Sequence, residues 1–493
     1  MTKHYRVAIL GSGFGGLGMA AQLKRAGIDN FAVFEKADSV GGVWRDNTYP
    51  GAACDTQAHV YCFTFFPHLR VSQMFAGGDE MLGYQVALKD AFGIEENMHY
   101  SSEIVSAVWN DTEAYWEITC DNGEKYTADF FVPAWGQLNS PKIPNWKGRE
   151  NFKGEQFHSA NWRHDLDLTG KKVISIGSAA SAVQYVPEVA KVAGKLEVFM
   201  RSANYILPRE QINFTAEQLD EFTANPEKFE ESRREIHNMR EAGFERTRNN
   251  TGAQEEGKQE ALAYLAEAVA DPELRAKLTP DYDFGCKRIL RTSFFYPALQ
   301  RDNVEVVTEG IDHFTEKGIV TTDGVEHEAD VIIYGTGFYS QNFQGKLQII
   351  GRDGVSLADR WGTEDAEAYI GLTVDGFPNM FLMYGPNTNL NHNSVVTMLE
   401  IQQRHVLDAL EQTAELDKAS VEVRPEVLRE FNEKLQKEME LSSFSSDCSS
   451  WYKNSKGKVI NNWSGTVEEY RQLAEKFNPR DFVVRSGETE VTL

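Results

Sequence analysis

Tyr5-Arg-Val-Ala-Ile-Leu10, followed at once by Gly11-Ser-Gly13-Phe-Gly-Gly16, is the stretch that decides the fold. The first six residues are apolar except for Arg6, with β-branched members, and have the length of a buried strand. The next six contain no residue that a tight turn would reject. Leu17 to Gly27 (LGMAAQLKRAG) then restores helical spacing. Strand, glycine turn and helix in this order form a dinucleotide-binding unit. The first glycine allows the sharp turn and the second lets backbone approach a pyrophosphate. The third lets helix pack on strand, and the helix N-terminus presents unpaired N–H groups to the anion. A second strand over Asn30–Phe34 ends in Glu35, 19 residues beyond Gly16, where a carboxylate bonds ribose hydroxyls.

Working outward, Gly41-Gly42-Val-Trp44-Arg-Asp-Asn-Thr-Tyr49-Pro50-Gly51-Ala-Ala-Cys54-Asp55 combines paired glycines, a Pro-Gly turn and a Trp. This composition suits backbone wrapped closely around a large flat ligand, with Gly42 and Trp44 against it. Further on the unit recurs: Lys171–Ile176 (KKVISI) is a strand, Gly177-Ser178-Ala179-Ala-Ser181-Ala182 a turn, and Val183–Gly194 a helix. Ala179 stands where the second glycine normally lies, and Ala182 replaces the third. The strand Leu196–Met200 then ends in Arg201-Ser202 where an NAD site places an acid, so the second turn is expected to take NADPH, with Arg201 on the 2′-phosphate. The cluster Cys286-Lys287-Arg288 adds charge to the same site.

That local charge stands out against the whole. Seventy-four acidic against fifty basic side chains give a net charge of −24, which repels nucleic acid and anionic membrane, so an anionic cofactor must find local cations. No stretch approaches the roughly 18 apolar residues of a membrane span. The N-terminus enters its first strand without a signal-peptide pattern, and a cytoplasmic protein is expected. Five dispersed cysteines (Cys54, Cys62, Cys120, Cys286, Cys448) form no Cys-x-x-Cys pair and are read as reduced, with no metal site among them.

The 493 residues exceed one hydrophobic core. The expected fold is α/β, with two Rossmann-like dinucleotide-binding domains and an inserted helical subdomain. Residues 1–145 and 339–493 form a discontinuous FAD-binding domain; 152–208 and 284–338 form the NADP-binding domain. Residues 209–283, Glu-rich and glycine-poor with helical spacing, are read as a helical insertion in the latter, its charge a solvated face. Val304–Val307 and Asp330–Tyr334 read as strands, the second ending in the turn Gly335-Thr336-Gly337-Phe338. Asn379–Asn387 reads as a further strand and turn. It leads through Asn389 and Asn393-Ser394 into a helix over Val395–Leu410, whose N-terminus would stabilise charge on a reduced flavin, with Asn387 on the cofactor.

Phe152-Lys-Gly154-Glu-Gln-Phe-His158-Ser-Ala-Asn-Trp162 matches F-x-G-x-x-x-H-x-x-x-W between two Rossmann turns. With GGVW…YPGAACD and Tyr334-Gly-Thr-Gly-Phe338, the chain resembles the class B flavoprotein monooxygenases, and within them the type I Baeyer–Villiger monooxygenases, from Val7 to about Trp463. Arg163, Trp135 and Ala179 depart from the pattern. The resemblance implies that NADPH reduces FAD and that the flavin carries O₂ as a C4a-peroxyflavin. This attacks a small-molecule ketone, and rearrangement gives an ester or lactone. It assigns Arg288 as the active-site cation, Asp55 as the flavin-side carboxylate that positions it, and Lys287, Arg201 and Ser202 to the 2′-phosphate. It gives Phe152, Gly154, His158 and Trp162 a linker role, His158 a conformational one.

Three alternatives stand beside this reading. An N- or S-oxygenating flavin monooxygenase keeps the fold and changes the acceptor to an amine or sulfide. A non-oxygenating flavoprotein follows if Ala179 abolishes nicotinamide binding. A disulfide reductase would need a cysteine pair beside the flavin. The ketone itself and the choice between monomer and homodimer stay open.

Overall fold

A computed structural model describes residues 2–493. Along the chain, β1 (Lys3–Leu10), α1 (Phe14–Arg25) and β2 (Phe31–Phe34) make the first unit, and β3 (Lys125–Pro133) pairs with β1 from the other side. All three strands run parallel, and Val7, Ala8 and Ile9 have no exposed surface, which is why this stretch reads as a continuous apolar run. The sheet has seven strands, extended by Met98–His99 beyond β2 and by Tyr115–Cys120, Ile104–Asn110 and Gln348–Ile350 beyond β3.

The second sheet has five strands, all parallel. It contains β4 (Glu155–His158), β5 (Lys172–Ile176), β6 (Lys195–Phe199), β7 (Val304–Val307) and β8 (Val331–Tyr334), in the spatial order β7-β6-β5-β8-β4. Helix α2 (Ala182–Val192) follows β5. Alternate side chains enter two separate cores. Val173, Val198, Val331 and Ile333 pack on one face, while Ile174, Ile176, Ile332 and Tyr334 pack on the other. Both predicted Rossmann-like units are present. Their strands differ from the sequence reading only by a residue or two at the ends, where hydrogen bonding rather than apolar character sets the limit.

The run between β6 and β7 is helical as expected: Ala216–Ala224, α3 (Pro226–Ala242), Gly252–Ala268 and Pro272–Lys277. Only Phe229 and Arg233 are buried on α3; Glu227, Glu231 and Glu235 are solvated, while Glu241 turns inward and accepts from Asn393 at 2.8 Å. The helices do not all serve the nicotinamide sheet, however. Leu265, in Gly252–Ala268, joins the core of that sheet. Arg233 of α3 instead donates to the carbonyls of His59 and Cys62, both at 2.8 Å, which fastens α3 to the FAD unit.

Two expectations are corrected. Asn379–Tyr384 lies alongside β3 but makes only an isolated bridge, Phe131 to Met380, so it is not a regular strand. Asn379 and Tyr384 have φ of 55° and 59°, which break the pleat. The cysteines are not all reduced: Cys286 and Cys448 form a disulfide across a separation of 162 residues, with Cα atoms 6.4 Å apart. Spacing along the chain carries no trace of such a pairing, because the fold alone brings the two residues together. Cys54, Cys62 and Cys120 are free and buried.

Helix α4 (Val395–Gln412) starts where predicted and runs two residues further. Ser394 caps it by accepting from the Val396 amide at 3.2 Å. Among the described residues no helix is long and apolar enough to cross a membrane.

Candidate active site and its two nucleotide turns

The first turn has no room for side chains. A Cβ on Gly16 would lie 1.8 Å from the Gly11 carbonyl oxygen, and one on Gly11 would lie 2.7 Å from that of Ala134. Gly13 and Gly42 face each other so closely that a Cβ on Gly42 would sit 3.0 Å from the Gly13 Cα. Two backbones from separate motifs thus form one bare cradle. Glu35 is buried at the end of β2. One carboxylate oxygen accepts from the Ser12 amide at 3.0 Å and hydroxyl at 2.7 Å, and the other accepts from the Ala37 amide at 2.9 Å. The carboxylate is therefore held rigidly beside the turn. The indole nitrogens of Trp44 and Trp135 are buried with no acceptor, which fits a bound group supplying acceptors there.

The second turn is built like the first at its start. Gly177 has φ of +116°, and a Cβ there would lie 2.2 Å from the Gly335 oxygen. Ala179 is exposed at the turn and its carbonyl accepts the Val183 amide, so its methyl stands at the turn's open side rather than inside the packing. Ser181 precedes α2 without a side-chain cap, and its side chain lies beside the Tyr49 hydroxyl. Ser178 is buried and bonds Ser202 and Asn204 across the β5–β6 edge. Lys287 donates to the Ser202 hydroxyl at 2.7 Å. Burial, then the nearby Arg201 charge, push the Lys287 ammonium below its usual range, as expected for a cation set to receive an anion. Arg201 itself is exposed at the end of β6. Arg201, Ser202 and Lys287, drawn from two distant segments, meet at one edge.

The loop that follows Gly42 joins the two turns. The Tyr49 hydroxyl donates to Gln184 Oε1 at 2.9 Å, and Gln184 in turn donates to the Ala53 carbonyl at 2.9 Å. Gly51 is required here, since a Cβ would lie 2.7 Å from the Gln184 oxygen. Past this stitch Asp55 reaches Arg288, whose Nη2 donates to both carboxylate oxygens at 2.7 Å and whose Nε donates at 3.2 Å. Burial alone would raise the Asp55 carboxyl, but the Arg288 guanidinium outweighs it and holds the group below the ordinary carboxylate range. Asp55 in return raises Arg288. Arg288 is about a third and Asp55 about a quarter exposed, so the pair borders open space rather than sealed core.

The linker motif has a mechanical explanation. Phe152 is buried beneath the second sheet. A Cβ on Gly154 would lie 2.4 Å from the Asp330 oxygen and 2.5 Å from the Phe152 ring, so only glycine lets β4 join β8. His158 accepts the Ala160 amide on Nδ1, which leaves Nε2–H to donate to the Gly337 carbonyl at 2.9 Å. It therefore clamps the end of β4 to the crossing after β8. Burial lowers its pKa, and its polar contacts are the backbone groups of Ala160 and Gly337. Trp162 packs edge-on against Phe157 and beside Tyr185 of α2.

Asn387 is held by the C-terminal segment. Its amide donates to the carbonyls of Val459 at 2.9 Å and Asn462 at 3.0 Å, so the side chain is fully engaged with the C-terminal segment. Its left-handed backbone, φ 57°, shapes the approach to α4. Several site residues escaped sequence reading. Gln184 lies in an ordinary helical stretch. Arg240 donates to Gln57 Oε1 at 2.6 Å and to the His392 carbonyl at 3.1 Å, and approaches the Asp55 carbonyl; burial, followed by the charge of Arg291, lowers it to about 10. Tyr384 and Tyr452 lie close enough to Arg288 for its charge to act on both. No local pattern distinguishes these residues from packing positions.

Two nucleotide cradles joined at a carboxylate–guanidinium pair are the arrangement of a flavoprotein that holds two dinucleotides. Residues 4–215 match the family described as flavin-binding monooxygenase-like. The chain is 38% identical over 98% of its length to a Baeyer–Villiger monooxygenase of Streptomyces coelicolor, 93% of which is covered. It is 39% identical over 97% of its length to one of Pseudomonas aeruginosa, 91% of which is covered. Among solved structures, an oxidised steroid monooxygenase bound to NADP superposes with a TM-score of 0.87 at 30% identity over 98% of this chain and 100% of that one. A closed cyclohexanone monooxygenase gives 0.86 at 28% identity over 99% and 100%. The chain belongs to the Baeyer–Villiger monooxygenase family of FAD- and NADPH-dependent flavoproteins.

Proposed function

We propose that this protein inserts one oxygen atom of O₂ beside the carbonyl of a small-molecule ketone, giving an ester or lactone at the expense of NADPH. The observation that supports this most is the bidentate Asp55–Arg288 pair at the junction of the two nucleotide turns. FAD, when bound and reduced by NADPH, supplies the activation of O₂.

The residues provide the rest. Gly11, Gly13 and Gly16 with Gly42 offer backbone N–H groups and bare surface to a pyrophosphate, and Glu35 lies where ribose hydroxyls would meet it. Arg201, Ser202 and Lys287 form a cationic edge for a 2′-phosphate beside Gly177, Ser178, Ala179 and Ser181. Arg288 is a permanent cation that stabilises negative charge developing on oxygen, and Asp55 fixes its direction. Tyr384 and Tyr452, with hydroxyls kept protonated chiefly by burial, limit water around the guanidinium. His158 holds the crossing between the units and acts through position. We read the protein as cytoplasmic, acting as a monomer or homodimer.

The test mixes FAD-loaded protein with NADPH and O₂, with a ketone or a thioether as acceptor, and measures flavin reduction and product. Ester formation from the ketone supports the proposal. Sulfoxide without ester would move it to a heteroatom oxygenase, and no flavin reduction by NADPH would refute it. Arg288→Ala is expected to keep reduction and abolish ester; normal ester yield from that variant would refute the role of Arg288.

A further inference from the structure

The Cys286–Cys448 disulfide lies outside the chemistry just described, yet it joins two parts of it. Cys286 directly precedes Lys287 and Arg288, on the segment that supplies both cations. Cys448 begins the segment that carries Tyr452, beside Arg288, and then Asn461 and Asn462. Those asparagines close on the first unit: Asn461 donates to Gln137 Oε1 at 3.0 Å, and Asn462 accepts from Asn389 at 2.7 Å. Between Cys448 and Asn461 the chain has no helix or ladder of its own. It is held instead by side chains and burial: Lys458 pairs with Asp365 at 2.8 Å and with Glu367, the Ser455 amide donates to Glu364 at 2.9 Å, the Tyr452 hydroxyl donates to Asn391, and Tyr452, Val459 and Ile460 are buried in the core. To these contacts the covalent bond adds the link that ties the start of this irregular strap to the cation-bearing turn.

We propose that the Cys286–Cys448 bond is a positioning tether. It keeps residues 448–463, and Tyr452 with them, against the Lys287–Arg288 turn, and so helps retain the nicotinamide cofactor; a dithiol opens it. This rests on the oxygenase reading above, because the cofactor retained is the one that reading assigns to Lys287. In the opening step a thiolate of the dithiol attacks one sulfur of the bond and the S–S bond breaks. The second thiol of the reductant then displaces the mixed disulfide. The reductant leaves as its own disulfide, having given two electrons, and Cys286 and Cys448 each finish as a thiol with one proton. Without the tether the start of the strap can part from the turn, which weakens binding through lost preorganisation rather than lost contacts.

The experiment uses the full FAD-loaded protein and NADP⁺ as probe, with and without dithiothreitol, in wild type and Cys448→Ser. Thiols titrated in denaturant should number three before reduction and five after it. Reduction should raise the Kd for NADP⁺ about fivefold, a modest ordering cost, and should accelerate proteolytic cleavage within 448–463. Cys448→Ser should resemble the reduced wild type and not respond to dithiothreitol. For NADPH turnover, KM should rise more than kcat falls, whereas general destabilisation would lower both. Equal Kd and equal cleavage in the oxidised and reduced wild type would overturn the tether. So would five titratable thiols in protein treated with oxidised glutathione, or a dithiothreitol response in Cys448→Ser as large as in wild type. Should NADPH reduce the flavin in neither redox state, the oxygenase reading fails, while thiol count and cleavage still decide the tether.

Discussion

Replacing Asp55 by Ala removes the carboxylate that takes three N–H···O contacts of 2.7, 2.7 and 3.2 Å from Arg288. Charges about 4 Å apart attract by about 4 kcal/mol at an effective dielectric near 20. Part of this is offset by the cost of desolvating both groups. The remaining exposure of 33% for Arg288 and 25% for Asp55 places the pair between exposed and buried ion pairs. A net stability loss of about 2 kcal/mol is expected. The larger effect is directional: Arg288 keeps its charge but loses the two-pronged acceptor that fixes its plane. A stabilising cation swung out of line costs on the order of 10²-fold in the step it serves. NADPH consumption should therefore continue while ester formed per NADPH falls about a hundredfold, a loss on the scale of one electrostatic donor. The assay measures both from one reaction mixture by absorbance and gas chromatography. Asp55→Glu, which keeps the charge but shifts it, should recover part of the yield. An Asp55→Ala variant with unchanged ester yield per NADPH would refute the reasoning, whatever its melting temperature.

Other expectations follow from the same geometry. Gly154→Ala forces a methyl to within 2.4 Å of the Asp330 oxygen and should destabilise the second sheet by about 1–3 kcal/mol, read by thermal melting; an unchanged melting temperature would mean that β4 and β8 part easily. Lys287→Ala, which removes the charge beside Ser202, should lower the preference for NADPH over NADH about tenfold in kcat/KM, the scale of one charge-assisted bond; an unaltered ratio would remove Lys287 from the 2′-phosphate site. His405 is buried among aromatic rings and held down to about 4, chiefly by burial. Its folded value lies below the unfolded one near 6.5, so its contribution is complete above pH 6.5 and lost as pH falls toward 4. At pH 5 this amounts to about 2 kcal/mol. Urea unfolding at pH 7.5 and pH 5 should show this loss in wild type and less of it in His405→Asn; equal losses would contradict it.

The sequence carried most of what depends on neighbours along the chain. The glycines at 11, 13 and 16, the acid at 35 and the arginine at 201 could be picked out because turn, strand end and charge follow one another at fixed intervals, whereas Lys287 was picked out through the family resemblance. Phe152 to Trp162 was legible as a motif, but its reason, a crowded β4–β8 contact and a histidine clamping a crossing, appears only in three dimensions. What depends on distant pairing was not legible. The disulfide joins residues 162 apart, Gln184 stitches a helix to a loop more than a hundred positions earlier, and Asn387 is claimed by carbonyls at 459 and 462. The Asn379–Tyr384 segment misled because apolar residues in a buried crossing have strand-like composition without a strand's backbone.

The seven-stranded sheet has one further consequence, for the order of synthesis. Its edge strand, Gln348–Ile350, pairs with Ile104–Asn110, and its core draws on residues as late as Val484. The five-stranded sheet needs nothing beyond Tyr334. On the ribosome the nicotinamide half can therefore close while the flavin half, whose turn emerges first, still waits for the last hundred residues to arrive. Flavin loading belongs to the released chain, and truncation near the C-terminus should leave an intact second unit hanging from an unfinished first.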